Sequence, residues 1–244
     1  MQNFIFLHGF LGSSEDWNAV VAHLPNKVRC YCLDLPGHGK NTHIQVKDFA
    51  NTAAWLSQQI YQCVQQQPYH LIGYSLGGRL AAYFATQTAF PVYALQKVCL
   101  EGANLGLTCQ QEQDLRWQND LSWATRFAEE PIYTVLQDWY QQAVFADLND
   151  QQRQQLIQLR ANNQPQSLSK MLLATSLAKQ PKLWQIIRSQ PEKFHYLCGE
   201  NDQKFRQLAE KQQLNLTLIS KVGHNAHVHQ PTEFAAKLAT LFCQ

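Results

Sequence analysis

Charge is what this sequence has least of. Asp, Glu, Lys and Arg make up 16% of its 244 residues, and they balance to a net +2. A chain so close to neutral, with no run of Lys and Arg, lacks the electrostatic footprint of a nucleic-acid or membrane-surface protein. Glutamine takes the polar positions instead, as in Gln65-Gln66-Gln67, Gln110-Gln111, Gln151-Gln152 and Gln154-Gln155, and reads as solvated helix faces. No stretch nears the roughly 20 apolar residues that a membrane span needs. The start, Met1 to Leu7, has no basic segment and enters a strand pattern directly, so a signal peptide is not expected. There is no internal repeat and no Gly/Ser linker. The seven cysteines are odd in number and have no metal-ligand spacing. Cys30, Cys32, Cys99 and Cys198 lie in apolar runs, and are expected to be small buried hydrophobes in the reducing cytoplasm. Without staples of sulfur or metal, a hydrophobic core must hold the chain together. Its length suits one sizeable domain with a modest insertion.

Short apolar runs alternate with longer amphipathic stretches. Phe4–Leu7, Val28–Leu33, His70–Gly73, Leu95–Leu100, Phe194–Cys198 and Leu214–Ile219 read as strands. Most are continuously apolar, as in a parallel sheet covered on both faces. Helices are expected from Ser14 to near His23, and over Asp48–Gln67, Gly77–Thr88, Phe205–Gln213 and Thr232–Phe242. This alternation marks an α/β fold. Between about Asn104 and Gln190 the patterns turn helical only: Leu115–Phe127, Ile132–Tyr140, Asp150–Asn162 and Leu168–Leu177. The chain therefore divides into a core (1–103), a helical lid (104–190) and the rest of the core (191–244). A separate helical domain is the other reading of the insertion, but the segment is short and interrupted by Pro131 and Pro165.

Gly73-Tyr74-Ser75-Leu76-Gly77 follows a strand and opens a helix, the context of a nucleophile elbow. A serine hydroxyl is nearly inert at neutral pH and needs a base. In this arrangement an acid and then a histidine come later in the chain. His224 follows the last strand and Asp202 the strand before it, so both project from the ends where such sheets build their sites. Glu200 competes with Asp202 for the acid's place. His224, His227 and His229 match no metal motif and no carboxylate stands among them, so neither metal nor cofactor is expected. His227 and His229 read as a polar loop, lining the site mouth. The amides of Phe10, after the first strand, and Leu76, after the serine, are the expected oxyanion donors. His8 reads as an orienting residue of that loop, and Leu33 to Gly39 as a tight turn that shapes the pocket floor.

Several segments go beyond the fold. Asp138-Trp139-Tyr140-Gln141-Gln142-Ala143-Val144-Phe145-Ala146-Asp147-Leu148-Asn149-Asp150, Leu159-Arg160-Ala161-Asn162-Asn163 and the stretch from Cys198 to Arg206 resemble the 2-succinyl-6-hydroxy-2,4-cyclohexadiene-1-carboxylate synthases of menaquinone biosynthesis. The resemblance runs nearly from end to end. It implies an α/β-hydrolase fold and a lyase that eliminates pyruvate from 2-succinyl-5-enolpyruvyl-6-hydroxy-3-cyclohexene-1-carboxylate, with Ser75, His224 and Asp202 as a proton-abstracting triad. A polycarboxylate substrate calls for cations. Arg79 lies one helical turn after Ser75, Arg116 and Arg160 match arginine positions of the family's lid, and Lys204 follows Asp202. Guanidinium suits carboxylate better than ammonium does. Tyr74 and Trp139 match pocket positions, although Trp139 also fits plain lid core. The sequence departs from the wider superfamily in having no room for two strands before the first loop. A six-stranded, all-parallel sheet is expected, with Val28–Leu33 at its edge and Arg29 guarding that edge. The competing functions are a carboxylesterase or thioesterase using Ser75 as nucleophile, and a binding protein on a hydrolase scaffold. An arginine set argues against the first for neutral substrates, and an intact triad against the second.

Overall fold

The computed structural model describes residues 1–87 and 94–243. The six apolar runs form strands β1 (Gln2–Leu7), β2 (Val28–Leu33), β3 (Tyr69–Tyr74), β4 (Leu95–Glu101), β5 (Phe194–Gly199) and β6 (Leu216–Ile219). They make one sheet in the order β2-β1-β3-β4-β5-β6, and every neighbouring pair is parallel. The expected all-parallel sheet is thus what the chain forms, although Leu214 lies ahead of β6. The register aligns the carboxyl ends: Leu7 stands beside Gly73, Gly73 beside Leu100, and Leu100 beside Tyr196. All loops that leave these ends therefore open on one rim.

Helices α1 (Asn18–Ala22), α2 (Phe49–Val64) and α3 (Leu76–Gln87) connect the first four strands. Residue Thr88, where α3 was expected to end, lies outside the described residues. Five helices follow between β4 and β5: α4 (Gln110–Glu129), α5 (Ile132–Trp139), α6 (Asp150–Arg160), α7 (Pro165–Ala174) and α8 (Trp184–Arg188). The two prolines start helices rather than interrupting them. Pro131 caps α5, and Pro165 occupies the first turn of α7, where its missing N–H costs nothing. The carboxyl end carries α9 (Gln203–Lys211), α10 (Ala226–His229) and α11 (Pro231–Phe242). The sequence reading missed α8 and α10, which are too short to show periodicity.

Strand alternation sends Ile5 and Leu7 to one face of the sheet and Phe4 and Phe6 to the other. The first face packs on Leu56 and Ile60 of α2, Leu80 and Phe84 of α3, and Phe205 of α9. The second packs on Trp17 and Val20 and on Phe234, Leu238 and Phe242 of α11. Both faces are covered, which explains the continuously apolar runs. The edge strands β2 and β6 are less covered. At the β2 edge Cys30 and Cys32 are only half-buried, a correction to the expectation that they are buried. Even so, burial pushes their thiols up to about 11 and about 12. The inserted helices share a smaller core of their own, built from Phe127, Val135, Leu136, Tyr140 and Ile157. Leu11, from the loop after β1, belongs to that cluster and anchors it to the rim of the sheet.

Candidate active site

Ser75 sits between β3 and α3 with φ at +49°, in the left-handed region. A non-glycine residue holds that conformation only where its surroundings enforce it. Here the enforcement is backbone packing. A Cβ on Gly73 would stand 2.4 Å from the Gly77 carbonyl oxygen, and one on Gly77 would stand 2.3 Å from the Leu7 carbonyl oxygen. Any side chain at either place would pry strand and helix apart. The Ser75 amide donates to the Glu101 carbonyl (2.8 Å), and its carbonyl accepts from the Arg79 amide (2.9 Å). Across Gly73 to Arg79, Ser75 alone is not buried.

His224 and Asp202 come from the loops after β6 and β5. The Nδ1–H of His224 donates to Asp202 Oδ2 at 2.7 Å, with both side chains buried. The carboxylate only accepts, so it fixes the proton on Nδ1 and leaves Nε2 as the basic nitrogen. The other carboxylate oxygen accepts the Phe205 amide (3.3 Å) and caps α9. The imidazole is stacked on Phe205, ring centroids 4.7 Å apart, and meets the edge of Phe145 at 6.2 Å. Glu200 is exposed and accepts the Lys221 amide instead, so of the two candidate acids it is Asp202 that reaches His224.

The loop after β1 backs onto the elbow: a Cβ on Gly9 would stand 3.5 Å from that of Ser75. This brings the segment carrying the Phe10 amide beside Ser75, whose other neighbour is Leu76. His8 orients the loop. Its Nε2 accepts the Leu35 amide (2.9 Å), so Nδ1 carries the proton and donates to the Gly9 carbonyl (2.7 Å). His38 does the same between the Leu11 amide and the Pro36 carbonyl. Burial holds both rings neutral, lowering His8 and bringing His38 to about 3. The Phe10 ring packs on Trp139 (5.2 Å) and Phe127 (5.7 Å), so Trp139 joins an aromatic cluster at the rim.

The cations divide into two groups. Arg79 is 8% exposed. Its Nε donates to Gln180 Oε1 (2.7 Å) and its Nη2 to the Thr175 carbonyl. It makes no ion pair among the described residues. Burial, and next the charge of Arg116, bring it down to about 9. Lys204 is lowered for the same two reasons in the same order. Arg116 itself pairs with Asp120 at 2.7 Å. Arg116 therefore stands within the field of both Arg79 and Lys204. Lys204 lines a cavity of about 840 Å³ together with Asp147, Asp202, Gly223 and His224. Arg160 stands apart: its Nη2 pairs with Asp16 Oδ2 at 2.8 Å, and it also bonds Tyr140. Burial pushes the Asp16 carboxyl up, but Arg160 outweighs this and leaves it lowered. The Tyr74 hydroxyl donates to the Asn225 side chain.

His227 corrects the sequence reading. It does not line the mouth but is buried beneath Tyr74, bound to a buried Glu101. No signal could have found this pair, because 126 residues separate its members.

The family model of the alpha/beta hydrolase fold matches residues 2–231. A Haemophilus influenzae protein, provisionally named a 2-succinyl-6-hydroxy-2,4-cyclohexadiene-1-carboxylate synthase, is 46% identical over 98% of this chain and 96% of its own. A Yersinia pseudotuberculosis protein with that synthase name is 44% identical over 98% of this chain and 87% of its own. The chain belongs to this synthase family. The family's fold is also seen in MenH from S. aureus, whose structure matches at a TM-score of 0.88 and 27% identity, covering 99% of this chain and 93% of that one. An esterase from Thermogutta terrifontis, solved with malate bound, matches at 0.79 with 18% identity over 98% and 89% of the two chains, a likeness of fold alone. Among the described residues, no helix is long and apolar enough to cross a membrane. The synthase family's full-length similarity includes the inserted helices, which carry Arg116, Trp139 and Arg160.

Proposed function

We propose that this protein eliminates pyruvate from 2-succinyl-5-enolpyruvyl-6-hydroxy-3-cyclohexene-1-carboxylate, giving 2-succinyl-6-hydroxy-2,4-cyclohexadiene-1-carboxylate. Ser75, His224 and Asp202 form its proton-abstracting unit. Asp202 holds the His224 tautomer, and Nε2 makes the Ser75 hydroxyl basic. A ring C–H proton passes to this unit as the ring gains its second double bond. The C–O bond to the enolpyruvyl group breaks, and the departing enolate takes up a proton to become pyruvate. The amides of Phe10 and Leu76 hold the negative charge that develops on the way. No acyl-enzyme, metal or cofactor takes part.

The observation that carries this reading is Arg79, a guanidinium buried four residues after Ser75 and bonded, among the described residues, to neutral acceptors only. A buried charge is costly unless paired. An incoming carboxylate would supply the missing partner, and the charge of Arg116 reaches both Arg79 and Lys204. Tyr74 and Trp139 shape the pocket, while Arg160 offers the donors that Asp16 and Tyr140 leave over. Residues 104–190 act as a lid on a core made of 1–103 and 191–244. Contacts of Phe145 with His224 and of Trp139 with Phe10 support this. Seven unpaired thiols fit work in the reducing cytoplasm.

The test is to supply the cyclohexene substrate and assay pyruvate with wild type and Ser75→Ala. Pyruvate release by the first and not the second supports the reading. Failure to form pyruvate, together with acyl trapping on Ser75 by a simple ester, would establish an esterase instead.

A further inference from the structure

Two buried ionisable side chains have no part in the mechanism above. Glu101, the last residue of β4, is 0% exposed, and His227, in α10, is 1% exposed. Glu101 Oε1 accepts two hydrogen bonds from His227, one from its amide (3.0 Å) and one from its ring Nδ1 (3.0 Å). Oε2 lies 2.9 Å from the same nitrogen but off the donor axis, without a hydrogen bond of its own among the described residues. The far ring nitrogen, Nε2, is buried with no hydrogen-bond partner there, and the ring packs 4.4 Å from that of Trp17. Replacing a buried polar pair of this kind by apolar side chains of like volume is often neutral or stabilising, so stability does not explain it. What the polar pair supplies and packing could not is a fixed register between two segments.

Those segments hold the two halves of the proton-abstracting unit. The backbone carbonyl of Glu101 accepts the Ser75 amide at 2.8 Å. The next residue, Gly102, has φ at +53°, and a Cβ there would stand 2.8 Å from His224 Cε1, so the imidazole rests directly on this backbone. His227 is three residues beyond His224. A second tie runs parallel to the first, from the Tyr74 hydroxyl to Asn225. The Tyr74 ring lies 4.5 Å from His227 and 5.1 Å from His224. Elbow and histidine loop are thus joined on both sides of the imidazole, by residues next to Ser75 and residues next to His224.

We propose that Glu101 and His227 are positioning residues, a second carboxylate–imidazole pair that sets the distance between Ser75 and His224. The proposal rests on the triad assignment made above. It is tested with Glu101→Met, which keeps the bulk and removes both acceptors, and with Glu101→Gln. In Gln the carbonyl still accepts the His227 amide, and its N–H can meet Nδ1 in the other tautomer. Two rates are compared: pyruvate release, and sulfonylation of Ser75 by phenylmethanesulfonyl fluoride. The second reaction needs the Ser75–His224 geometry and none of the arginines.

Misplacement by even an ångström costs on the order of 10- to 100-fold, so Glu101→Met is expected to lower kcat and the sulfonylation rate together by about that factor. KM should stay within about twofold, because ground-state binding is untouched. Glu101→Gln should recover most of both rates. A folded Glu101→Met with wild-type rates, or with raised KM alone, overturns the proposal. Should Glu101→Met fail to fold, His227→Leu carries the same expectations, since it leaves the amide bond to Glu101 in place. Sulfonylation decides the matter even if no pyruvate is formed by wild type, an outcome that would sink the proposed function instead.

Discussion

Asp202→Asn separates orientation from scaffold. Asparagine keeps the shape of Asp202 and a carbonyl oxygen that can still accept the Phe205 amide, so the cap on α9 survives. What changes is the contact with His224. The present bond is 2.7 Å long and buried on both sides. An amide nitrogen turned toward Nδ1 would donate to it, move the ring proton to Nε2 and leave Ser75 without a base. General-base assistance is worth roughly 10²- to 10⁴-fold, which corresponds to about 3 to 5 kcal/mol of activation free energy. The expected outcome is a fall in kcat of that size with KM little changed. Stability should move by less than about 1 kcal/mol, since the cap is kept. Asp202→Ala should lose the cap as well, with a further ~0.5–2 kcal/mol off stability. The assay is pyruvate release coupled to lactate dehydrogenase, with thermal denaturation alongside. An Asp202→Asn enzyme that keeps a tenth or more of the wild-type kcat at unchanged stability refutes the reasoning.

Arg79→Met should raise KM by roughly 10- to 100-fold for loss of a charge-assisted contact of about 1.5–3 kcal/mol, yet leave thermal stability unchanged or higher because an unpaired buried charge is gone; a normal KM removes Arg79 from the substrate site. Arg160→Ala should destabilise by about 3–5 kcal/mol, because it strands the buried Asp16 carboxylate, and chemical denaturation would show it. Asp16 lies below its ordinary 3.8 in the folded chain. Its contribution is therefore complete above the unfolded carboxylate range and is lost as pH falls through the lower folded value, a loss that Arg160→Ala should abolish. His8, lowered by burial, and His38 and His70, lowered to about 3 and about 4, must stay neutral in the folded state. Stability should then fall with pH below 6.5, by about 1.4 kcal/mol per unit for each such group until its folded value is reached; urea midpoints that stay flat between pH 6.5 and 4 contradict this. Chelators should leave activity intact, and inactivation reversed by added metal would overturn the metal-free mechanism.

What could be read in the sequence was what is local. Ser75 announces itself through its glycine neighbours, whose absent side chains let two backbones touch. Asp202 and His224 were placed by their positions just after strands, and parallel strands in register bring such positions to one rim. What could not be read was pairing across long separations. Asp16 and Arg160 lie 144 residues apart, and no spacing rule couples them. The expected fourth strand stops at Leu100, one residue short of Glu101, and His227 reads as one more histidine in a polar loop. The edge position of β2 was expected and is found, but its consequence, the half-exposure of Cys30 and Cys32, was not drawn from it. The prolines at 131 and 165 were misjudged because the same ring that ends a helix also begins one.

His8 and His38 each spend one ring nitrogen accepting an amide and the other donating to a carbonyl. Neither can take a proton without breaking the joint between the loops behind Ser75. Near neutrality the charge around Ser75 is consequently insensitive to these two rings. An inflection in a pH–rate profile there has to be sought elsewhere, with these two imidazoles already struck from the suspects.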